Sequence, residues 1–276
     1  MENTVNIILI IIFHGFLIDV SPHVYYTMGK KGGVPMEQVL YRDPFDSIPR
    51  RRARPVEKGR DPYDGLRPWS AITHGVGAAL GVAATAVLAA GAARLGDVWK
   101  LVSFVIYGLS MTALYTASTL YHCVNTSVNG RVALRKLDHT SIYFLIAGSY
   151  TPVCLIALRG PWGWSLFGVI WALAIAGLVM SLTWINCPRI VTSTIYISMG
   201  WVAVFALYPL WQSIGPRGVA WLLAGGVLYT VGGVLYALKW PGRDNPRFGC
   251  HEVFHVFILL GSIAHFVMMY QVLLPL

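Results

Sequence analysis

Long, nearly uncharged apolar runs recur along this chain from Trp69 to its end, separated by short loops. They decide what the chain can become. A run of about 20 apolar residues, wound as an α-helix, matches the ~30 Å hydrocarbon thickness of a bilayer. In lipid every backbone N–H and C=O has to be satisfied within the protein, and a helix satisfies its own. The runs are Trp69–Ala93, Leu101–Val124, Leu137–Leu158, Trp162–Trp184, Val191–Trp211, Val219–Trp240 and Glu252–Leu274. They predict an all-α integral membrane protein, a seven-transmembrane helix bundle. The composition agrees, with only 12% charged residues where soluble domains carry about 25%. In a soluble protein the net charge of +9 would point to nucleic acid. Here the basic residues sit in short loops, which suits lipid headgroups, so no nucleic-acid partner is expected.

Loop charge sets the orientation. One side holds Arg131, Arg135, Lys136, Arg189, Lys239, Arg243, Arg247 and the basic cluster Arg50-Arg51-Arg52 with Arg54. The other holds Arg94, Lys100, Arg159 and Arg217. By the positive-inside rule the first side is cytoplasmic, with the N-terminus inside and the C-terminus extracytoplasmic. Trp99, Trp162, Trp164, Trp211 and Trp221 mark one interface, and Trp69, Trp184 and Trp240 the other. A multi-pass protein of the cell membrane is expected.

Residues 1–66 read as an N-terminal extension, and 67–276 as the membrane domain. Residues 37–68 are polar, basic and Pro-rich, which predicts a disordered cytoplasmic tail. The apolar run Val5–Val20 lacks a preceding Lys or Arg and is short for a span. Lys30-Lys31-Gly32-Gly33 before Met36 fits a translated ribosome-binding sequence, so translation is expected to start at Met36 and residues 1–35 to be a start-site artefact. Cys123, Cys154, Cys187 and Cys250 have no paired spacing, and free thiols are expected.

Polar residues inside membrane helices are costly and call for a reason. His251 and His255 lie four apart at the start of the last run, on one helix face. Ser118 and His122 share a face at the end of the second run, and Asp138 and His139 open the third. On the expected topology all of these lie at the cytoplasmic end. His122, His251 and His255 offer three neutral nitrogens, the ligand set of a catalytic zinc site with one open position. Asp138 is the candidate general base for a water at that site, and Ser118 the group that orients it. His139 adjoins Asp138, and helix neighbours point about 100° apart, so at most one of the two faces the site squarely. His265, about 15 Å beyond His255 along the helix, is too far to share the ion. His74 opens the first run on the same side, without an assigned role. Cys123 and Cys250 adjoin ligands in sequence but point away from the histidine face. Pro152 and Pro209 are expected to kink their spans. The echo of Gly225-Gly226 in Gly232-Gly233 reads as a close-packing seam.

The stretches Ser70-Ala71-Ile72-Thr73-His74-Gly75, Ser118-Thr119-Leu120-Tyr121-His122, Leu134-Arg135-Lys136-Leu137-Asp138-His139 through Tyr150-Thr151-Pro152, and His251-Glu252-Val253-Phe254-His255 resemble bacterial hemolysin III proteins. These stand with the progestin and adipoQ receptors in a group that includes alkaline ceramidases. The resemblance runs from about residue 67 to the end. It implies seven helices, a cytoplasmic N-terminus, and Zn2+ near the inner leaflet on His122, His251 and His255, with Asp138 holding water and Ser118 in the site. It also implies three readings of function. The first is a zinc-dependent hydrolase of lipid amide or acyl bonds, with membrane lipid as substrate. The second is a pore-forming, cytolytic protein. The third is a sensor or regulator of membrane-lipid homeostasis with structural zinc.

Overall fold

The computed structural model describes residues 66–276, apart from 185–186, 243–244 and 246–247. The Met36 start, the apolar run Val5–Val20 and the basic cluster lie outside the described residues. Every regular element among the described residues is helical. They are α1 (Pro68–Leu95), α2 (Val98–Cys123), α3 (Val128–Pro152), α4 (Pro161–Thr183), α5 (Arg189–Trp201), α6 (Leu207–Leu238) and α7 (Cys250–Met268). A π-helical turn, Val153–Ala157, continues α3, and another, Met269–Leu273, continues α7. A 3-10 segment, Val202–Ala206, joins α5 to α6.

Six stretches are long and apolar enough to cross a membrane: Pro68–Leu95, Val98–Cys123, Asn129–Ala157, Pro161–Thr183, Ile190–Leu238 and Cys250–Leu273. The helices are built inside out relative to a soluble bundle. In α1 the buried residues are Ser70, Ala71, His74, Gly77, Gly81, Ala84, Leu88 and Ala92. Small residues on that seam let α1 lie close against α2. Ile72, Val76, Leu80, Val82 and Val87 face outward, where lipid receives them. Trp69, Trp99, Trp162, Trp164, Trp184, Trp211 and Trp240 are exposed, as interface anchors are. Trp221 departs from the expected belt and packs inward against the core.

The local sequence sets the helix ends. Pro68 stands in the first turn of α1, where a missing N–H costs nothing, and Gly96 closes the helix in the left-handed region at φ 66°. Pro68, expected as the last residue of a disordered tail over 37–68, belongs instead to α1, and residues 37–65 of that expected tail lie outside the described residues. The Asp97 side chain caps α2 by accepting from the Lys100 N–H at 3.1 Å. Ser127 caps α3 in the same way, accepting from the Gly130 N–H at 3.2 Å.

The two prolines act differently. Pro152 gives way to the π-helical turn that follows it. Pro209 lies in the first turn of α6, and the irregular 3-10 stretch immediately precedes it. A proline ring clashes with the carbonyl four residues back, here Phe205, which accounts for the loss of α-helix there. The sharp break lies further on, at Gly215, with φ 62° and ψ −176°. The chain doubles back there: the Trp201 indole N–H donates to Thr230 Oγ1 at 2.9 Å, and Ile197 lies against Gly233.

Packing is mostly between successive helices, and contact of α1 with α7 closes the bundle. The interior is filled by Leu88, Phe104, Tyr107, Tyr115, Tyr143 and Ile170, with Met268 and Met269 from the last segment. Gly225 meets the His265 ring and Gly232 meets Phe257, so the glycine echo serves close approach of α6 to α7. Three tyrosine hydroxyls converge on Ser262 of α7. Tyr115 donates to its Oγ at 2.7 Å, Tyr229 shares a bond with that Oγ at 2.9 Å, and Tyr107 donates to its carbonyl at 3.4 Å.

Candidate metal centre

The end of α2 and the start of α7 bring three imidazoles together. One ring nitrogen from each of His122, His251 and His255 lies within 4.8 Å of the other two. His122 and His255 are buried, and His251 is half-buried. The His122 and His251 Nε2 atoms are 3.1 Å apart. Two ring nitrogens at that distance either share a proton or face a common cation. Ligands around a tetrahedral metal with bonds of 2.0–2.1 Å stand about 3.3 Å from each other. The His122–His251 pair is therefore already near that spacing, and the three nitrogens, within 4.8 Å of one another, could hold a metal ion. The three donors are all imidazoles, which suit a borderline-soft divalent ion.

His255 is fixed more tightly than sequence alone could say. Its Nδ1 lies 3.3 Å from the Ser70 carbonyl. A carbonyl only accepts, so Nδ1 carries the proton and donates, and Nε2 keeps its lone pair. This is the usual arrangement by which an outer contact orients a ligating histidine. The His74 ring lies parallel to the His255 ring, 3.5 Å between centroids and 9° between planes. Tyr115 meets His74 edge-on at 5.0 Å. His74 thus walls one face of His255 and stands outside the three-histidine cluster.

Ser118 is buried one helical turn from His122. Its hydroxyl is turned toward the Asp138 carboxyl without reaching hydrogen-bond geometry. Asp138 is itself buried. His139 diverges from it, as neighbours on a helix do. Its Nδ1 donates to the Arg135 carbonyl of its own helix at 2.9 Å and stands 3.7 Å from Asp138 Oδ2. His265 lies apart, with its Nε2 donating to the Leu222 carbonyl at 3.3 Å. All four cysteines are free, with Cys123 exposed and Cys250 half-buried.

Four residues around the centre went unrecognised in the sequence. Glu252 lies between the two α7 histidines in sequence and is buried at 2% exposure. It accepts from the Gly249 N–H at 2.8 Å, from the Arg67 guanidinium at 3.1 Å and from the Ser70 hydroxyl at 3.0 Å. Arg131 of α3 donates to the Tyr121 carbonyl at 2.6 Å and the Val124 carbonyl at 3.2 Å, and so closes off the end of α2 that bears His122. The one available signal was Glu252 at the third position of a helix, where a carboxylate reaches back to the first free N–H. Nothing local announces the partners of Arg67, Ser70 and Arg131.

Comparison with known proteins extends along the same helices. The sequence profile described as Haemolysin-III related matches residues 68–266. Hemolysin-3 of Bacillus cereus is 39% identical over 207 residues, covering 75% of this chain and 91% of that protein. The Hemolysin-3 homolog of Bacillus subtilis (strain 168) is 38% identical over 208 residues, covering 75% and 94%. A more distant likeness, 25% over 177 residues, links the chain to the monocyte to macrophage differentiation factor of Homo sapiens, covering 62% and 70%. The matched region takes in α1 through most of α7 and all three clustered histidines. The expected kinship is borne out: the chain belongs to the Haemolysin-III related family and is a multi-pass membrane protein.

Proposed function

We propose that the chain is an intramembrane zinc-dependent hydrolase that cleaves an amide or related acyl bond of a membrane lipid. The observation that carries this reading is the meeting of three imidazoles from two non-adjacent helices, with the tautomer of one set by the Ser70 carbonyl. His122, His251 and His255 would hold the ion. When bound, zinc supplies Lewis acidity and makes water acidic enough to react near neutral pH. The chain's own residues supply the rest. Asp138 takes the proton from the attacking water and returns it to the leaving amine. Ser118, between Asp138 and the His122 turn, orients that water. The apolar surroundings of the buried His122 and His255 exclude bulk solvent.

In this reading residues 67–276 form the catalytic unit and 1–66 an extension. The stretch Ile190–Leu238, 49 residues long, spans about 70 Å if fully helical. That is more than twice the bilayer core, and it breaks at Gly215, so it counts as two crossings. Seven crossings result, with the N-terminus cytoplasmic, the C-terminus outside and the metal centre near the inner face. The loop charges support that orientation.

Metal analysis of the detergent-purified protein tests the reading. Wild type should carry close to one zinc, and His122→Ala and His255→Ala should lose it. Asp138→Ala should keep zinc and lose about 10²–10⁴-fold in turnover, the usual contribution of a general base. A zinc-loaded wild type that is inert against ceramides, phospholipids and other acyl lipids would overturn it. The relatives' name, Hemolysin-3, favours a second reading, a membrane-permeabilising protein. Dye release from liposomes that persists in His251→Ala would support that reading over hydrolysis.

A further inference from the structure

The two helices that bear the three clustered histidines are bridged by one that bears none of the three. α1 packs against both α2 and α7. At the level of the imidazoles its N-cap Arg67 and its Ser70 tie it to both. The Arg67 backbone N–H donates to the His122 carbonyl at 3.0 Å. The Arg67 guanidinium donates to Glu252 Oε1 at 3.1 Å, and the Ser70 hydroxyl donates to the same oxygen at 3.0 Å. The Ser70 carbonyl accepts from His255 Nδ1 at 3.3 Å. Arg67 therefore touches both the ligand-bearing end of α2 and the ligand-bearing start of α7. Ser70 holds a ligand with its backbone and the clamp carboxylate with its side chain.

Glu252 is the hub. Oε1 receives Arg67 and Ser70, and Oε2 receives the Gly249 N–H that opens α7, together with a longer contact of 3.5 Å from Arg67. A carboxylate this buried keeps its charge only while such donors surround it. Without it, the first turn of α7 loses both its cap and its tie to α1, and His251 and His255 lose the backbone that aims them.

We propose that Arg67, Ser70 and Glu252 are positioning residues that assemble the metal centre by pinning α7 to the end of α2 through the start of α1. This rests on the reading of the three histidines as a metal site. The clamp sets affinity without touching the ion, in the range by which outer contacts of metal ligands act, about 10–100-fold.

The test is a zinc affinity titration of the purified full chain against a chelator of known strength, for wild type, Glu252→Gln, Arg67→Gln and the double variant, with thermal unfolding of each metal-free protein alongside. Glu252→Gln keeps the shape and removes the charge. Arg67→Gln is the safer variant, because that side chain is 46% exposed. Each single variant should bind zinc at least 10-fold more weakly. The double variant should be no weaker than the worse single one, because both remove the same contact. Arg67→Lys should recover part of the loss. Variants that bind zinc as wild type does while melting at a lower temperature would overturn the clamp and leave the metal reading intact. A wild type that binds no zinc would overturn both, and is recognised by the failure of the wild type itself.

Discussion

At the scale of single residues, the histidines were legible because their logic is local. His251 and His255 are four apart, and His122 sits at the matching end of another apolar run, so periodicity and loop charge together place them at one end. Glu252 was opaque for the opposite reason. Its partners Arg67 and Ser70 are 185 and 182 residues away in sequence, and no pattern in α7 announces them. The polar interior deeper in the bundle was equally silent, because Tyr115, Tyr229 and Ser262 read as ordinary span residues. Their energetics yield a prediction. Ser262→Ala leaves the Tyr229 hydroxyl without the bond it makes at 2.9 Å, while Tyr115 retains the Ile258 carbonyl at 3.3 Å. Stranding a buried donor costs about 1–3 kcal/mol. Thermal melting of the detergent-solubilised variant should fall by several degrees, whereas Tyr115→Phe should cost less.

At the scale of the element, most helices follow from apolar length, and their ends from Pro68, Asp97, Ser127 and Gly96. The breaks inside helices were harder to place. Pro209 was expected to kink its own span, yet it sits where proline is tolerated and the irregularity lies before it. Gly215 carries the real break, and a glycine within an apolar run carries no signal of its φ. At φ 62° and ψ −176° the backbone lies in a region essentially reserved for glycine. Gly215→Ala should therefore destabilise the protein by about 1–3 kcal/mol and leave metal binding at the far end unchanged. Melting and zinc content of the same preparation check both halves. Equal stability would mean the break relaxes without strain.

At the scale of the whole molecule, bilayer crossing was read from composition and run length, and the family kinship stands on the matched helical region. A labelling experiment decides the crossing count. With seven crossings, a cysteine introduced at Leu276 reacts with an impermeant maleimide added outside intact cells, and one at Asn245 does not. The reversed pattern, Asn245 labelled and Leu276 protected, would make Ile190–Leu238 a single crossing and the total six. Metal removal is informative at this scale too. If the site holds zinc catalytically, chelation should leave helical content intact, since the helices pack through an apolar interior that includes Leu88, Phe104 and Tyr143. Collapse of helicity on chelation would assign zinc a structural role.

The convergence of three phenols on Ser262 limits how this bundle can breathe. They come from α2 and α6, while the serine belongs to α7. Turning α7 by a single residue swings its side chains through about 100°, and sliding it by one residue shifts them about 1.5 Å; either would leave several hydroxyls facing hydrocarbon. Helices α2, α6 and α7 are thus keyed together like a fixed post. If the proposed hydrolase reading holds, a lipid tail would have to enter past helices outside this keyed trio, and Asp138 stands on one of them, α3.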